Sequence, residues 1–208
     1  MEHQLTIVGI GPGSPEYILP AALKVIEEAS LLIGGGRAIK TYAKPHQQVY
    51  KVDSDIAGLL NFVKLQLQDQ DVVVMVSGDP GYYSLLEALR YEIPTESLRV
   101  IPGISSFQVA FSRIGIPWQN ARLISVHGRA PDLSAIEYET GRVLSFLTDG
   151  KNHPAQIAGW LQQRGWPLRT SVWLCRNLSY TDETILTTTL EETLKVSGFD
   201  SCVMVVME

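Results

Sequence analysis

Cysteine is scarce in this chain of 208 residues: the only two, Cys175 and Cys202, lie far apart inside apolar runs, without CxxC spacing or a nearby histidine. That argues against a disulfide framework or a cysteine-built zinc site, and two buried, reduced thiols are expected. Basic charge is also in short supply, with 17 Lys+Arg against 22 Asp+Glu and a net charge of −5. A general nucleic-acid binder needs a basic surface to displace condensed counterions, so no nucleic-acid partner is expected. No apolar run approaches the roughly 20 residues that span a bilayer, and Met1-Glu2-His3-Gln4 lacks the basic start of a secretory signal. The expected location is the cytoplasm, without a membrane partner. Low-complexity tracts and charge blocks are missing too, and 45% hydrophobic with 19% charged residues is the composition of a folded enzyme.

What is present alternates between strand and helix patterns. Leu5-Thr-Ile-Val-Gly-Ile10 reads as a strand, and Ile18, Ala21, Ala22, Val25, Ile26 and Ala29 recur at helical spacing behind it. Leu31-Leu-Ile33 and residues 49–52 read as further strands, and Asp53-Ser54 is placed to cap a helix carrying Ile56, Leu59, Leu60, Val63 and Leu67. Val72-Val-Val-Met-Val76 has no polar alternation, the pattern of a central strand covered on both faces of a parallel sheet. A helix through Leu85, Leu86 and Leu89, a strand over 98–101 and a helix from Ser105 to about Ile114 complete a βα alternation. Behind the connector Gly115-Ile-Pro-Trp-Gln-Asn120, strands are expected at 121–126, 143–147, 172–175, 184–189 and 202–206. Helices are expected at 153–164 and from Leu190. The chain therefore reads as two α/β domains, 1–115 and 116–208, the first with a mostly parallel sheet and the second mixed. A ligand cleft is expected between them.

Gly9-Ile-Gly11-Pro-Gly13 follows a strand and precedes a helix, as a dinucleotide-binding fingerprint would. Ser14 stands where the third glycine of GxGxxG belongs, and Pro12 removes a backbone N–H from the loop that would cradle a pyrophosphate. No acidic residue ends the second strand to take a ribose hydroxyl, and no GxxxxGK[ST] occurs. Two more turns follow strand ends: Ser77-Gly78-Asp79-Pro80-Gly81, and Pro102-Gly103-Ile104-Ser105-Ser106. Singly, Asp79 or either serine reads equally well as a helix cap.

Together the three turns resemble the tetrapyrrole methylase family, whose first domain carries a GxGPG loop, a GDP loop and a P-G-x-S-S turn in this order. Ile33-Gly-Gly-Gly-Arg37, Ser125-Val-His-Gly-Arg129 and Asn177-Leu-Ser179 with Asp182-Glu183 resemble the branch that methylates C5 of a corrin precursor, precorrin-6Y or cobalt-precorrin-7. The resemblance implies an S-adenosylmethionine-dependent methyltransferase of cobalamin biosynthesis that works as a homodimer and binds its cofactor between two α/β domains. It implies cofactor contacts from Gly11 and Pro12, from Gly78, Asp79 and Tyr82, and from Ser105 and Ser106. From the second domain it implies Leu147, Thr148, Arg176 and Asn177, chiefly through backbone atoms. Arg176 stands where many relatives carry an acidic residue.

The three turns are expected to converge on one pocket shaped for a sulfonium nucleoside. The sulfonium is already activated, so the reaction can rest on positioning, and no catalytic residue is assigned beyond His127 as a candidate base. A corrin precursor bears many carboxylates, for which Arg37, His127 and Arg129 are the candidate contacts. No protein-bound metal is expected; cobalt would arrive in the substrate. Other substrates remain open, namely uroporphyrinogen III, another corrin carbon, a diphthamide precursor or ribosomal RNA, as does a non-catalytic binder of cofactor or tetrapyrrole. In some organisms the C5 activity is fused to a decarboxylating C15-methyltransferase. The sequence holds one enzyme of this kind, so a separate C15 partner is expected.

Overall fold

Val72, Val74 and Val76 face one apolar cluster and Val73 and Met75 another, so the run without polar alternation is a strand covered on both sides. A computed structural model describes residues 3–129 and 131–208 and divides into two compact units, Met1–Ser105 and Ser106–Glu208.

The first unit is a βα alternation: β1 (Leu5–Gly9), α1 (Pro20–Glu28), β2 (Leu31–Gly34), α2 (Gly36–Tyr42), β3 (Gln48–Lys51), α3 (Ile56–Gln66), β4 (Val72–Val76), α4 (Leu85–Glu92) and β5 (Leu98–Ile101). All the strand pairs are parallel, in the order β3-β2-β4-β1-β5, which puts β4 at the centre. Leu59, Val63, Leu67 and Leu89 of α3 and α4 and their flanks cover one face, and Ala22, Ile26, Ala38 and Tyr42 of α1 and α2 the other. Burying each such valine or leucine contributes about 1.5–3 kcal/mol.

Local capping departs from expectation at one helix. Asp55, not Asp53-Ser54, caps α3, its carboxylate accepting the Gly58 N–H at 2.9 Å. Asp53 instead accepts the Asp55 N–H at 2.8 Å, one turn earlier in the chain, and so shapes the approach to the cap.

The second unit begins with α5 (Ser106–Ile114), which packs against its last strand. The expected domain boundary near residue 116 falls at the other end of this helix. Then come β6 (Ala121–Ser125), β7 (Val143–Leu147), α6 (Pro154–Gln163), β8 (Ser171–Arg176), β9 (Thr184–Thr189), α7 (Leu190–Thr193) and β10 (Val203–Met207). The order is β6-β7-β10-β8-β9, with β6 and β7 parallel and the other pairs antiparallel, a mixed sheet as expected. Ile157, Ala158 and Leu161 of α6 and Trp166 press on Leu144, Phe146, Val172, Leu174 and Met204. Trp166 also donates its indole N–H to the Ile136 carbonyl at 2.8 Å. Among the described residues, no helix is long and apolar enough to cross a membrane.

Candidate functional site

Strand order alone marks one edge of the first sheet. From β1 the chain crosses past β4 to β2, while from β4 it crosses past β1 to β5, so the connections leave these two neighbours in opposite directions. Ligands of open α/β sheets bind at the carboxyl ends of strands where the order reverses in this way.

At that point the three turns are tied to one another. Gly11 and Gly78 form an isolated antiparallel bridge, Gly11 N–H donating to the Gly78 carbonyl at 3.3 Å and Gly78 N–H to the Gly11 carbonyl at 2.7 Å. The Asp79 carboxylate accepts the N–H of Gly81 at 2.8 Å within its own turn and that of Gly103 at 3.0 Å in the next one. Gly9, Gly78 and Gly103 then pack backbone on backbone. A Cβ on Gly103 would lie 2.2 Å from the Gly78 carbonyl oxygen, and one on Gly9 2.6 Å from the Gly103 nitrogen. A Cβ on Gly78 would reach only the Ser105 Cα, at 3.7 Å.

Asp79 is therefore not a helix cap. Ser84 caps α4, its hydroxyl accepting the Leu86 N–H at 3.1 Å, and Asp79 binds two loops together. The structure thus brings Gly11, Gly78, Asp79 and Ser105 to one place. Pro12 follows Gly11 and is half-buried, and Tyr82 is half-buried with its ring edge-on to Tyr83, 4.6 Å between centroids. Arg37 is exposed in the first turn of α2, behind the triple glycine.

In the second unit, β6, β7 and β8 run in one direction, and Ser125, Leu147, Val203 and Cys175 lie in one row across the sheet. Their carboxyl ends place His127 and Arg129, Leu147 and Thr148, and Arg176 and Asn177 along one edge. Leu147 is half-buried. The polar groups of Thr148 serve the fold: its hydroxyl accepts the Cys202 N–H at 2.8 Å and lies 2.9 Å from the Asp200 carbonyl. Arg176 turns to the loop before β10, donating to the Gly198 carbonyl at 2.8 Å, with its guanidinium 5.4 Å from the Phe199 ring centroid. Asn177 has φ 51° and donates its amide N–H to Asp182 at 2.6 Å. Ser106 begins α5.

Two residues that sequence reasoning passed over fasten the loop carrying His127 and Arg129. Asp149 accepts the N–H of Gly128 at 2.5 Å, of Asn152 at 2.6 Å and of Lys151 at 2.9 Å. These bonds, with that from Asn152 foremost, hold its carboxyl below the usual carboxylate range. Asn152 donates its amide to the carbonyls of Val126 at 2.7 Å and Arg129 at 3.1 Å. The signal in the sequence is Asp149-Gly150-Lys151-Asn152, an Asx-rich turn between a strand end and a helix opened by Pro154.

Among the described residues, no group of three or more His, Cys, Asp or Glu side chains gathers to hold a metal ion.

The sequence model of the tetrapyrrole (corrin/porphyrin) methylases matches residues 4–194. The cobalt-precorrin-7 C(5)-methyltransferase of Salmonella typhimurium is 33% identical over 87% of this chain and 88% of its own. The decarboxylating precorrin-6Y C(5,15)-methyltransferase of Sinorhizobium is 30% identical over 78% of this chain but 39% of its own. Among solved structures, the methyltransferase CobJ superposes with a TM-score of 0.83 at 17% identity, covering 100% of this chain and 95% of that one. Uroporphyrin-III C-methyltransferase from Thermus thermophilus, solved with S-adenosylhomocysteine, gives 0.76 at 22% identity over 99% and 92%.

Proposed function

The chain belongs to the tetrapyrrole (corrin/porphyrin) methylase family, S-adenosylmethionine-dependent C-methyltransferases, and from that premise we propose that it methylates C5 of a corrin-ring intermediate, cobalt-precorrin-7 or precorrin-6Y, in cobalamin biosynthesis. The observation that carries the reading is the tie among three turns at the switch point of β1 and β4, together with the identity to a C5-methyltransferase over most of both chains.

The residues at the site fit this cofactor. Residues 9–14, 77–82 and 102–106 contain no Lys or Arg, so nothing there favours a pyrophosphate, whereas the Asp79 carboxylate suits a cationic sulfonium. We assign the cofactor to Gly11, Pro12, Gly78, Asp79, Tyr82, Ser105 and Ser106, and, through their backbone, to Leu147, Thr148, Arg176 and Asn177. S-adenosylmethionine supplies an activated methyl group. What the chain adds is alignment of the ring carbon with that methyl group, worth up to roughly 7–11 kcal/mol of the barrier. Arg37 and Arg129 hold the corrin carboxylates in this reading, since a guanidinium grips a carboxylate through two parallel hydrogen bonds.

The active species is proposed to be a homodimer. A separate protein is proposed to carry out the decarboxylating C15 methylation. The test is turnover with purified cobalt-precorrin-7, precorrin-6Y and uroporphyrinogen III, read as S-adenosylhomocysteine release and product mass. One added methyl without loss of carbon dioxide, on a corrin and not on uroporphyrinogen III, is expected. Turnover of uroporphyrinogen III alone, or a decarboxylated product from this chain alone, overturns the assignment.

A further inference from the structure

The loop after β6 is held to the tail of β7 at every residue from Val126 to Arg129. Val126 N–H donates to the Leu147 carbonyl at 3.0 Å, His127 Nδ1 lies 3.3 Å from the Thr148 carbonyl, and Gly128 N–H reaches Asp149 at 2.5 Å. Asn152 closes the loop from the other side by donating to the Val126 and Arg129 carbonyls. Gly128, at φ 69°, supplies the left-handed turn that lets its N–H face Asp149. The imidazole itself is exposed.

A carbonyl oxygen carries no hydrogen, so the contact with Thr148 is a hydrogen bond only when the proton sits on Nδ1. In the neutral ring the lone pair then lies on Nε2. We infer that Thr148, Asp149 and Asn152 are positioning residues that hold His127 as the Nδ1–H tautomer, so that Nε2 accepts the proton the corrin ring releases after methylation. The inference rests on the methyl-transfer reading. In the step, an electron pair of the ring forms the new C–C bond while the methyl–sulfur bond breaks and its electrons stay on sulfur. The cationic ring then loses a proton to Nε2, and the resulting imidazolium passes it to water, so charge and atoms balance.

Asparagine is the informative replacement, because its amide nitrogen falls where Nδ1 does and retains the bond to Thr148 without offering a base at Nε2. The His127→Asn enzyme should bind S-adenosylhomocysteine as the wild type does and lose kcat by about 10²-fold or more, the usual share of a positioned base. Added imidazole should restore part of that loss in His127→Gly. Asp149→Asn should lower kcat more than it raises KM for the cofactor. Long-range ¹H–¹⁵N correlation on the full chain with labelled histidine reads the tautomer without any activity, with His127 assigned by the signal missing in His127→Asn. Protonated Nδ1 in the wild type, shifting toward Nε2–H in Asp149→Asn, is expected. A wild-type ring found mainly as Nε2–H, or a His127→Asn enzyme with undiminished kcat, overturns the inference even if corrins are methylated. A wild type that shows Nδ1–H but methylates no corrin supports the lock, overturns the proton-acceptor role and rejects the function reading as well.

Discussion

Gly103 and Gly159 are both glycines, yet substitution by alanine should move stability in opposite directions. At Gly103 the new methyl meets the Gly78 carbonyl at 2.2 Å and Gly9 backbone at 2.8 Å, and backbone cannot rotate away. Overpacking of this kind costs about 2–3 kcal/mol. Gly159 lies inside α6 with nothing within 4 Å of an added Cβ, so Gly159→Ala should gain up to about 1 kcal/mol from helix propensity. Urea midpoints of the two variants decide the matter. Asp79→Asn replaces one acceptor oxygen by an amide donor that confronts an N–H of Gly81 or Gly103. A loss of about 1–3 kcal/mol is expected, with weaker S-adenosylhomocysteine binding by calorimetry. The cysteines provide a third check. Burial pushes both Cys175 and Cys202 up to about 12, leaving roughly one thiolate in 10⁴ at pH 8. Native protein should react with a disulfide reagent far more slowly than denatured protein, and fast labelling of the folded chain would contradict the burial.

At the scale of elements, the segment between β8 and β9 is where local sequence and structure disagree. Asn177 and Ser179 take φ 51° and 71°, a region that asparagine tolerates but that costs a side chain such as serine about 1–2 kcal/mol. The conformation is held by Glu183, which accepts the Ser179 N–H at 2.6 Å and the Arg113 Nε–H at 2.6 Å. Burial alone would raise the Glu183 pKa, but the Arg113 side chain, the Ser179 N–H and the charge on Arg113 together outweigh it and lower the value. A lowered folded pKa means that the stabilisation is present above the ordinary glutamate range and is lost as pH falls through the folded value. Glu183→Gln should therefore flatten the acid limb of the stability-against-pH curve, measured by urea unfolding at stepped pH; an unchanged limb would show that Glu183 does not contribute.

The three turns were legible in the sequence because glycine, proline and aspartate at strand ends report backbone geometry directly. The role of Asp79 was not. An Asp-Pro step looks the same whether it caps a helix or ties two loops, and only the placement of β5 beside β1 brings the Gly103 N–H within reach. Asp149 and Asn152 escaped for the same reason: beyond their local turn, the groups they fasten, Gly128 for Asp149 and Val126 and Arg129 for Asn152, lie on the preceding strand's tail, more than 20 residues away in sequence.

For the whole molecule, the net charge of −5 repels a polycarboxylate in general, so the proposed reading calls for local cations, for which Arg37 and Arg129 are the candidates. Replacing both Arg37 and Arg129 by Gln should raise KM for the corrin while leaving S-adenosylhomocysteine affinity unchanged, and the corrin KM should climb with added salt in the wild type. Sedimentation should give twice the chain mass, the homodimer expected from the family. The central claim, methyl transfer to one carbon of a corrin ring, is tested most directly by supplying cofactor with a ¹³C-labelled methyl group and cobalt-precorrin-7 or precorrin-6Y, then locating the label in the product by NMR. A single enriched methyl on C5 is predicted; enrichment at any other ring carbon, or none despite bound cofactor, would contradict it.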